Sequence, residues 1–468
     1  MTGSMNTADP LGLDEAEMRR LGYWVVDRVV AHLQGIAEEP AIQTGTPAEL
    51  RSALGGLPPE TGGDPLRALE TLADVALTHM QHGEHPRNFA RVPGPSCFAG
   101  VLGEWLGTGF NAIAASWAGG SGPATVELVT LDWLRSLLGM PDGTEGVMTS
   151  GGSLANLTAL AAARANDGPG VCYLSDQTHA SIVRGLPAIG FAADEVRILR
   201  SDGEMRLPIE SLGAAIGEDK AAGRRPAFVV ANAGTTNTGA VDPLPAIADL
   251  CRTEGLWLHV DGAYGASAAL CDAGRRVLRG IELADSLVLD PHKWLFQPID
   301  LGCLLVSRPG ALKRAFRMSP DYLADVTGVN EEVDFRDRSL ELTRRARALK
   351  LWLSFRIYGV ERISAAVAHG IELAEHAERV VAGDRAWEVV TPAQLGIVTF
   401  AERGADHEAH ATKAAALAES GYGVITSTKV RGQPALRLCT INPRTSAQDV
   451  SSVLQRLGVR VVGAQSVA

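Results

Sequence analysis

Between Gly146 and Ser307 the chain returns again and again to one pattern, a short apolar run followed by a stretch with helical spacing. The runs read GVMT, VCYL, EVRIL, AFVVAN, LWLHV, SLVLD and GCLLV. That alternation predicts an α/β domain built on a mostly parallel sheet covered by helices. Ligands in such sheets gather where the strands run out into loops, so polar residues at strand ends are the ones that matter for chemistry.

Four strand ends carry such residues. In LVLDPHKWLFQPIDLG, Lys293 follows an apolar strand, with His292 before it and Trp294 after it. A lysine just past a strand can simply reach water; a reactive amine would need partners from elsewhere in the chain. In MTSGGSLANLTALAAAR, two glycines and Ser153 open an Ala- and Leu-rich helix. Gly152 permits close backbone approach, the helix start presents free N–H groups and Ser153 adds a hydroxyl, which suits a phosphate as well as it suits a plain helix cap. In LWLHVDGAYGAS, Asp261 ends a strongly apolar strand and is followed by small residues, among them Ala263. A carboxylate there is costly to desolvate unless it faces a cation, and the small neighbours leave room for a flat ligand. In YLSDQTHASI, His179 sits in a polar turn after a strand, a place where a lone histidine is often structural.

The rest of the chain narrows the class of function. DEAEMRRLGYWVVDRVVAHLQGI has Met18, Leu21, Val25, Val29 and Leu33 at helical spacing, an amphipathic N-terminal helix that needs a surface to cover. A Gly-, Pro- and Thr-rich connector follows between Thr44 and Asp64. The net charge of −11 argues against nucleic acid or an anionic membrane as partner, which leaves small-molecule chemistry as the expectation. Cys97, Cys172, Cys251, Cys271, Cys303 and Cys439 show neither CxxC spacing nor a histidine neighbourhood, so no disulfide framework and no metal site is expected. With no signal-peptide core and no spanning apolar run, the reading is a cytoplasmic protein in a reducing compartment.

A phosphate cradle, a carboxylate for a pyridinium nitrogen, a ring-stacking group and an amine for an aldehyde are together the requirements of pyridoxal 5′-phosphate (PLP). Lys293 then has a reason to stand at a strand end, as the amine that holds the cofactor covalently. The motifs SGGSLAN, SDQTHAS, NAGTTNTGAVDP, HVDGAYG, DPHKW and LRLCTINPRT occur in the order and approximate spacing of the group II PLP-dependent amino-acid decarboxylases, as do HPRNFARVPGP and RALKLWLSFRIYGV. The chain resembles that family, which includes aromatic amino-acid and glutamate decarboxylases, over nearly its whole length.

The resemblance implies PLP fold type I, aminotransferase-like. It divides the chain into an N-terminal helical dimerisation segment (1–95), a large PLP-binding domain (96–358) and a small C-terminal α+β domain (359–468). It implies decarboxylation of an L-amino acid to a primary amine and carbon dioxide by a homodimer. Lys293 resembles the cofactor-holding lysine, Asp261 the partner of the ring nitrogen, His179 the histidine on one ring face, Ala263 the small residue under the other, and Gly152 with Ser153 part of the phosphate site. Thr235 and Thr236 stand where the family places threonines near the cofactor, with the choice between them open. His292 resembles a residue shaping the cofactor environment. Tyr322, in SPDYLADV, resembles the proton donor of a catalytic loop. Asp290, where many relatives have Asn, is not assigned to the phosphate.

Where the aromatic-specific members line the substrate pocket with aromatic residues, this chain has Arg91, Val92 and Ala115, and Arg437 is counted with that pocket. Arg91 would receive an acidic side chain or turn outward to solvent. SWAGGSGPA is two residues longer than the usual version, either a reshaped pocket wall or a longer surface loop. The alternative reading is a decarboxylating aldehyde synthase, or another fold type I PLP enzyme; against the synthase, both Tyr322 and His179 are present.

Overall fold

The computed structural model describes residue 9, residues 11–318 and residues 332–461. Seven strands form the main sheet: β1 (Glu145–Thr149), β2 (Val171–Ser175), β3 (Val196–Leu199), β4 (Pro226–Asn232), β5 (Trp257–Asp261), β6 (Ser286–Leu289) and β7 (Gly302–Val306). Their spatial order is β1-β7-β6-β5-β4-β2-β3. β3, β2, β4, β5 and β6 run parallel, while β7 runs antiparallel to both its neighbours. β2, β4, β5, β6 and β7 are buried along nearly their whole length, which is why they read as continuous apolar runs. Because β1 lies at one edge and β2 near the other, the chain crosses the sheet after β1, and the ends of β1, β4, β5 and β6 open on the same side.

The N-terminal part supplies α1 (Glu15–Gly35), α2 (Pro47–Leu54) and α3 (Pro65–Thr71), none with a buried residue. α4 (Phe98–Gly109) and α5 (Trp117–Leu137) follow, and α6 (Gly152–Asp167) packs under the main sheet. The glycine-rich stretch after Trp117 is not a loop: it forms the first turns of α5, kinked at Gly120. A Cβ at Gly120 would lie 2.2 Å from the Ile113 carbonyl oxygen, so that close approach admits only glycine.

A second sheet, all antiparallel, has the order β10-β11-β9-β8 and is made of β8 (Trp387–Gln394), β9 (Ile397–Glu402), β10 (Thr426–Val430) and β11 (Gln433–Cys439). A 35-residue helix, Ala348–Ala382, joins the two sheets and breaks its helical geometry at Gly359 (φ 70°), where the expected boundary between large and small domains falls. The N-terminal segment also reaches the small sheet: Asn88 pairs with Val424, and Phe89 sits in one core with Val398, Phe400 and Leu438. Among the described residues no helix is long and apolar enough to cross a membrane, and no group of three or more His, Cys, Asp or Glu side chains is arranged to hold a metal ion.

Candidate active site

A cavity of about 400 Å³ lies where β1, β4, β5 and β6 run out, facing the N-terminus of α6. Gly152, Ser153, His179, Thr235, Thr236, Asp261, Ala263, His292 and Lys293 all line it. The N-cap of α6 is Gly151, with no side chain capping the first turn, so the leading N–H groups of a 16-residue helix are available to an anion. Gly152 is required by crowding. A Cβ there would stand 2.8 Å from Asp290 Oδ2 and 3.0 Å from the Ala263 Cβ.

Lys293 is carried on the short helical turn Pro291–Trp294 directly after β6. Its Nζ lies 2.9 Å from Asp290 Oδ2, and its side chain keeps 25% exposure. Asp290 is only 2% exposed, and its Oδ1 has no hydrogen-bond partner among the described residues. His292 Nδ1 accepts from the Leu301 N–H at 3.0 Å, which leaves Nε2 to carry the proton 3.6 Å from Asp290 Oδ2. Burial pushes the His292 imidazole below its ordinary range, against the opposing pull of Asp290. Behind the lysine, Trp294 stacks on Tyr264 with ring centroids 5.2 Å apart and planes 4° apart, and the Tyr264 hydroxyl accepts from Gly396 N at 2.7 Å. That packing ties the Lys293 turn to the start of β9.

Asp261 ends β5 with both oxygens engaged: Oδ1 accepts from Ala263 N at 3.0 Å and Oδ2 from Asn156 Nδ2 at 3.2 Å. A carboxylate so held stays in one orientation and offers its remaining lone pairs to the cavity. His179 caps the short helix Ala180–Gly185, its Nδ1 2.7 Å from Ser181 Oγ. The two threonines differ. Thr235 is buried and engaged within its own turn, its Oγ1 2.9 Å from Thr238 Oγ1 and accepting from Ala240 N at 3.1 Å. Thr236 is exposed to the cavity and its hydroxyl bonds to nothing among the described residues, so it is the threonine free to meet a ligand.

The four pocket residues expected from the resemblance do not line this cavity. Arg91 is exposed, with a left-handed backbone (φ 54°), its N–H donating to Thr426 Oγ1 at 2.9 Å. Arg437 is buried and holds backbone, donating to the Arg91 carbonyl and, at 3.1 Å, to that of Asn237. Val92 packs against the main core, and the Ala115 carbonyl accepts from Arg336 N at 2.9 Å. Tyr322 lies outside the described residues. Asn156, Asn232 and Tyr264 line the cavity without having been singled out from sequence. Asn156 was findable, since it stands four residues after Gly152 and so on the same face of α6.

The residues present fit PLP: an uncapped helix start for a phosphate, a fixed carboxylate, an amine, and a crowded glycine that keeps the floor low. Residues 57–403 match the model of the pyridoxal-dependent decarboxylase conserved domain. The chain is 42% identical over 463 residues to an aromatic-L-amino-acid decarboxylase of Bacillus atrophaeus, covering 96% of each chain. It is 34% identical over 406 residues to a phenylacetaldehyde synthase of Petunia hybrida, covering 83% of this chain and 80% of the other. The crystal structure of Oryza sativa TDC with PLP and tryptamine superposes with a TM-score of 0.90 at 27% identity, covering 96% of this chain and 98% of that one.

Proposed function

The chain belongs to the pyridoxal-dependent decarboxylase family and is a PLP-dependent amino-acid decarboxylase, and we propose that its substrates are aromatic L-amino acids, released as the corresponding primary amines. The observation that carries the substrate class is the charge of the cavity. Among the described residues the only lysine or arginine lining it is Lys293, which sits 2.9 Å from Asp290 and is itself the cofactor-holding amine, and Arg91 does not line it. An acidic substrate side chain would find no counter-ion there, whereas an apolar or aromatic one needs none. The similarity to the Bacillus enzyme over 96% of both chains supports the same choice.

Bound PLP supplies an aldehyde for the substrate's amino group and a ring that accepts the electron pair left when carbon dioxide departs. The chain's own residues would do the following. The leading N–H groups of α6, with Ser153 and the space kept by Gly152, hold the phosphate. Lys293 anchors the cofactor through its amine. Asp261 keeps a proton on the ring nitrogen, and its two fixed hydrogen bonds hold it ready for that charge. His179 and Ala263 bound the ring on its two faces, Thr236 offers a hydroxyl, and His292, its proton on Nε2, fills the wall beside Lys293. Tyr322 delivers the proton to the substrate carbon.

The working unit is proposed to be a cytoplasmic homodimer of chains divided at 95/96 and 358/359, with α1 to α3 covered by the second copy and residues near Arg91, Val92, Ala115 and Arg437 completing the substrate entrance. Supporting this, α1 has no buried residue although Met18 and Tyr23 lie on it. The test is incubation of the holoenzyme with single amino acids while carbon dioxide, amine and oxygen are followed together. Tryptophan, tyrosine or phenylalanine should give carbon dioxide and amine in equal amounts with little oxygen uptake. Turnover restricted to glutamate or cysteine sulfinate would overturn the substrate class. Stoichiometric oxygen uptake with aldehyde would favour the decarboxylating aldehyde synthase instead.

A further inference from the structure

His259 poses a question that the proposed mechanism does not use: a fully buried imidazole between Leu258 and Val260 in the middle of β5. Side chains alternate along a strand, so Trp257, His259 and Asp261 share one face. Across the sheet His259 is in register with Ser286 of β6, and from below α6 brings up Asn156. The result is a continuous line. Trp257 Nε1 donates to Ser286 Oγ at 2.8 Å, Ser286 Oγ lies 2.8 Å from His259 Nδ1, His259 Nε2 lies 2.9 Å from Asn156 Oδ1, and Asn156 Nδ2 donates to Asp261 Oδ2 at 3.2 Å.

The Asp261 end fixes the direction of this line. An indole N–H can only donate, so Ser286 Oγ receives from Trp257 and keeps its own proton and a second lone pair for His259 Nδ1. An ionised carboxylate can only accept, so Asn156 presents its NH₂ to Asp261 and its carbonyl oxygen to His259. His259 Nε2 must then donate to that oxygen, and in a neutral imidazole Nδ1 is left bare to take the Ser286 hydroxyl proton. Every donor in the line therefore points toward Asp261.

We propose that Trp257, Ser286, His259 and Asn156 form a one-way hydrogen-bond relay that holds Asp261 aimed into the cavity, with His259 as its positioning residue in a single neutral tautomer. The inference rests on the reading of Asp261 as the partner of the cofactor's ring nitrogen. Bonds aligned in one direction in a dry interior reinforce one another, and Asp261 gains a stabilising dipole without a second charge that would compete with the ring for it. Burial also suits His259 to this work, holding its imidazole down to about 4 against the pull of Asp261, so it stays neutral where the enzyme operates.

The test is nitrogen NMR of protein carrying ¹⁵N-labelled histidine, as apoprotein and with PLP bound, with the His259 signals identified by their loss in His259→Gln. Wild type should show a protonated Nε2 and a bare Nδ1 that do not change between about pH 5.5 and about pH 8.5. Ser286→Ala removes the donor to Nδ1 and should give a mixture of tautomers, with kcat lowered about tenfold and KM held within about twofold. A protonated Nδ1 or an imidazolium in wild type would overturn the relay while leaving the Asp261 reading intact. So would a Ser286→Ala enzyme whose tautomer changes with kcat still within about twofold of wild type. If instead Asp261→Ala kept near-normal activity, the reading of Asp261 would fail, and the relay's role with it, whatever tautomer is seen.

Discussion

At the scale of single residues, the cavity is built by two kinds of constraint, chemical and steric, and each gives a prediction. Lys293 is the chemical one. Lys293→Ala should still bind PLP through the α6 terminus and Asp261, but without a borohydride-reducible link and with turnover lost by at least about a thousandfold. Normal turnover in that variant, measured as amine released, would end the assignment. Gly152 is the steric one. Any side chain at Gly152 starts 2.8 Å from Asp290 Oδ2 and 3.0 Å from Ala263 Cβ, both in a buried floor, so Gly152→Val must push the phosphate end of the cavity open. PLP affinity, followed by fluorescence quenching, should fall by at least about tenfold, and the apparent melting temperature of the apoprotein should drop by a few degrees from the overpacked floor. Much of this was legible in the sequence because the chemistry sits at strand ends, where an apolar run stops at a single polar residue such as Asp261 or Lys293. The wall residues were less so. Whether Arg91 turns into the cavity depends on a left-handed backbone at that position, which no periodicity announces, and Arg437 is drawn instead to the carbonyls of Arg91 and Asn237.

At the scale of elements, the apolar runs announced every strand of the main sheet but not their directions. GCLLV reads the same whether it runs with β6 or against it, and the connection through residues 290–301 forms only the short turn Pro291–Trp294, with β7 pairing antiparallel to β6. The small sheet was less legible still, because β8 and β10 are only partly buried and carry little apolar signal. What binds these elements around the site is a second buried polar group. Arg344 and Glu127 form a salt bridge of 2.7 Å with both side chains at 0% exposure. Arg344 also donates to the Ala114 carbonyl at 2.7 Å, and Glu127 accepts from Met148 N at 2.8 Å, so α5, β1 and the segment leading into the long helix meet at one ion pair. Removing one partner leaves a buried charge uncompensated, at a cost of about 3–5 kcal/mol, whereas replacing both with apolar residues removes the charge altogether. Arg344→Met should therefore lower the apparent melting temperature by several degrees, and Glu127→Leu added to it should recover part of the loss. A double variant less stable than Arg344→Met would show that the pair's hydrogen bonds to backbone outweigh its charge.

At the scale of the whole molecule, buried histidines and uncovered helices make two further claims on behaviour in solution. Burial holds His85 and His259 down to about 4, so below the usual value of about 6.5 the unfolded chain binds protons that the folded one refuses. Their contribution to stability is complete above about pH 6.5 and is lost as the pH falls toward about 4. Asp242, raised to about 6 by burial, works the other way, its contribution being present at low pH and lost as the pH rises through about 6. His82, His292 and His376, also lowered by burial, side with the first two. Unfolding near pH 5 should thus take up protons on balance, and the apparent melting temperature should fall from about pH 7 to about pH 5; a flat or rising profile would contradict it. The second claim concerns assembly. Phe110, just past the end of α4, is 82% exposed and Tyr23 61%, and Leu106, Met18 and Ile357, on α4, α1 and the long helix that packs on α4, are also more than half exposed. Large apolar side chains left exposed on these elements support the proposal that they are covered in the working state, with a second copy as the covering partner. Sedimentation of the holoenzyme at micromolar concentration should give twice the chain mass of 49.3 kDa. Phe110→Glu with Tyr23→Glu places two buried charges in each half of a self-complementary interface, so it should shift the mass toward one chain and lower activity with it, more at dilution than at high concentration. Full activity from a species of single-chain mass would show instead that each subunit completes its own site, and that these apolar faces serve another purpose.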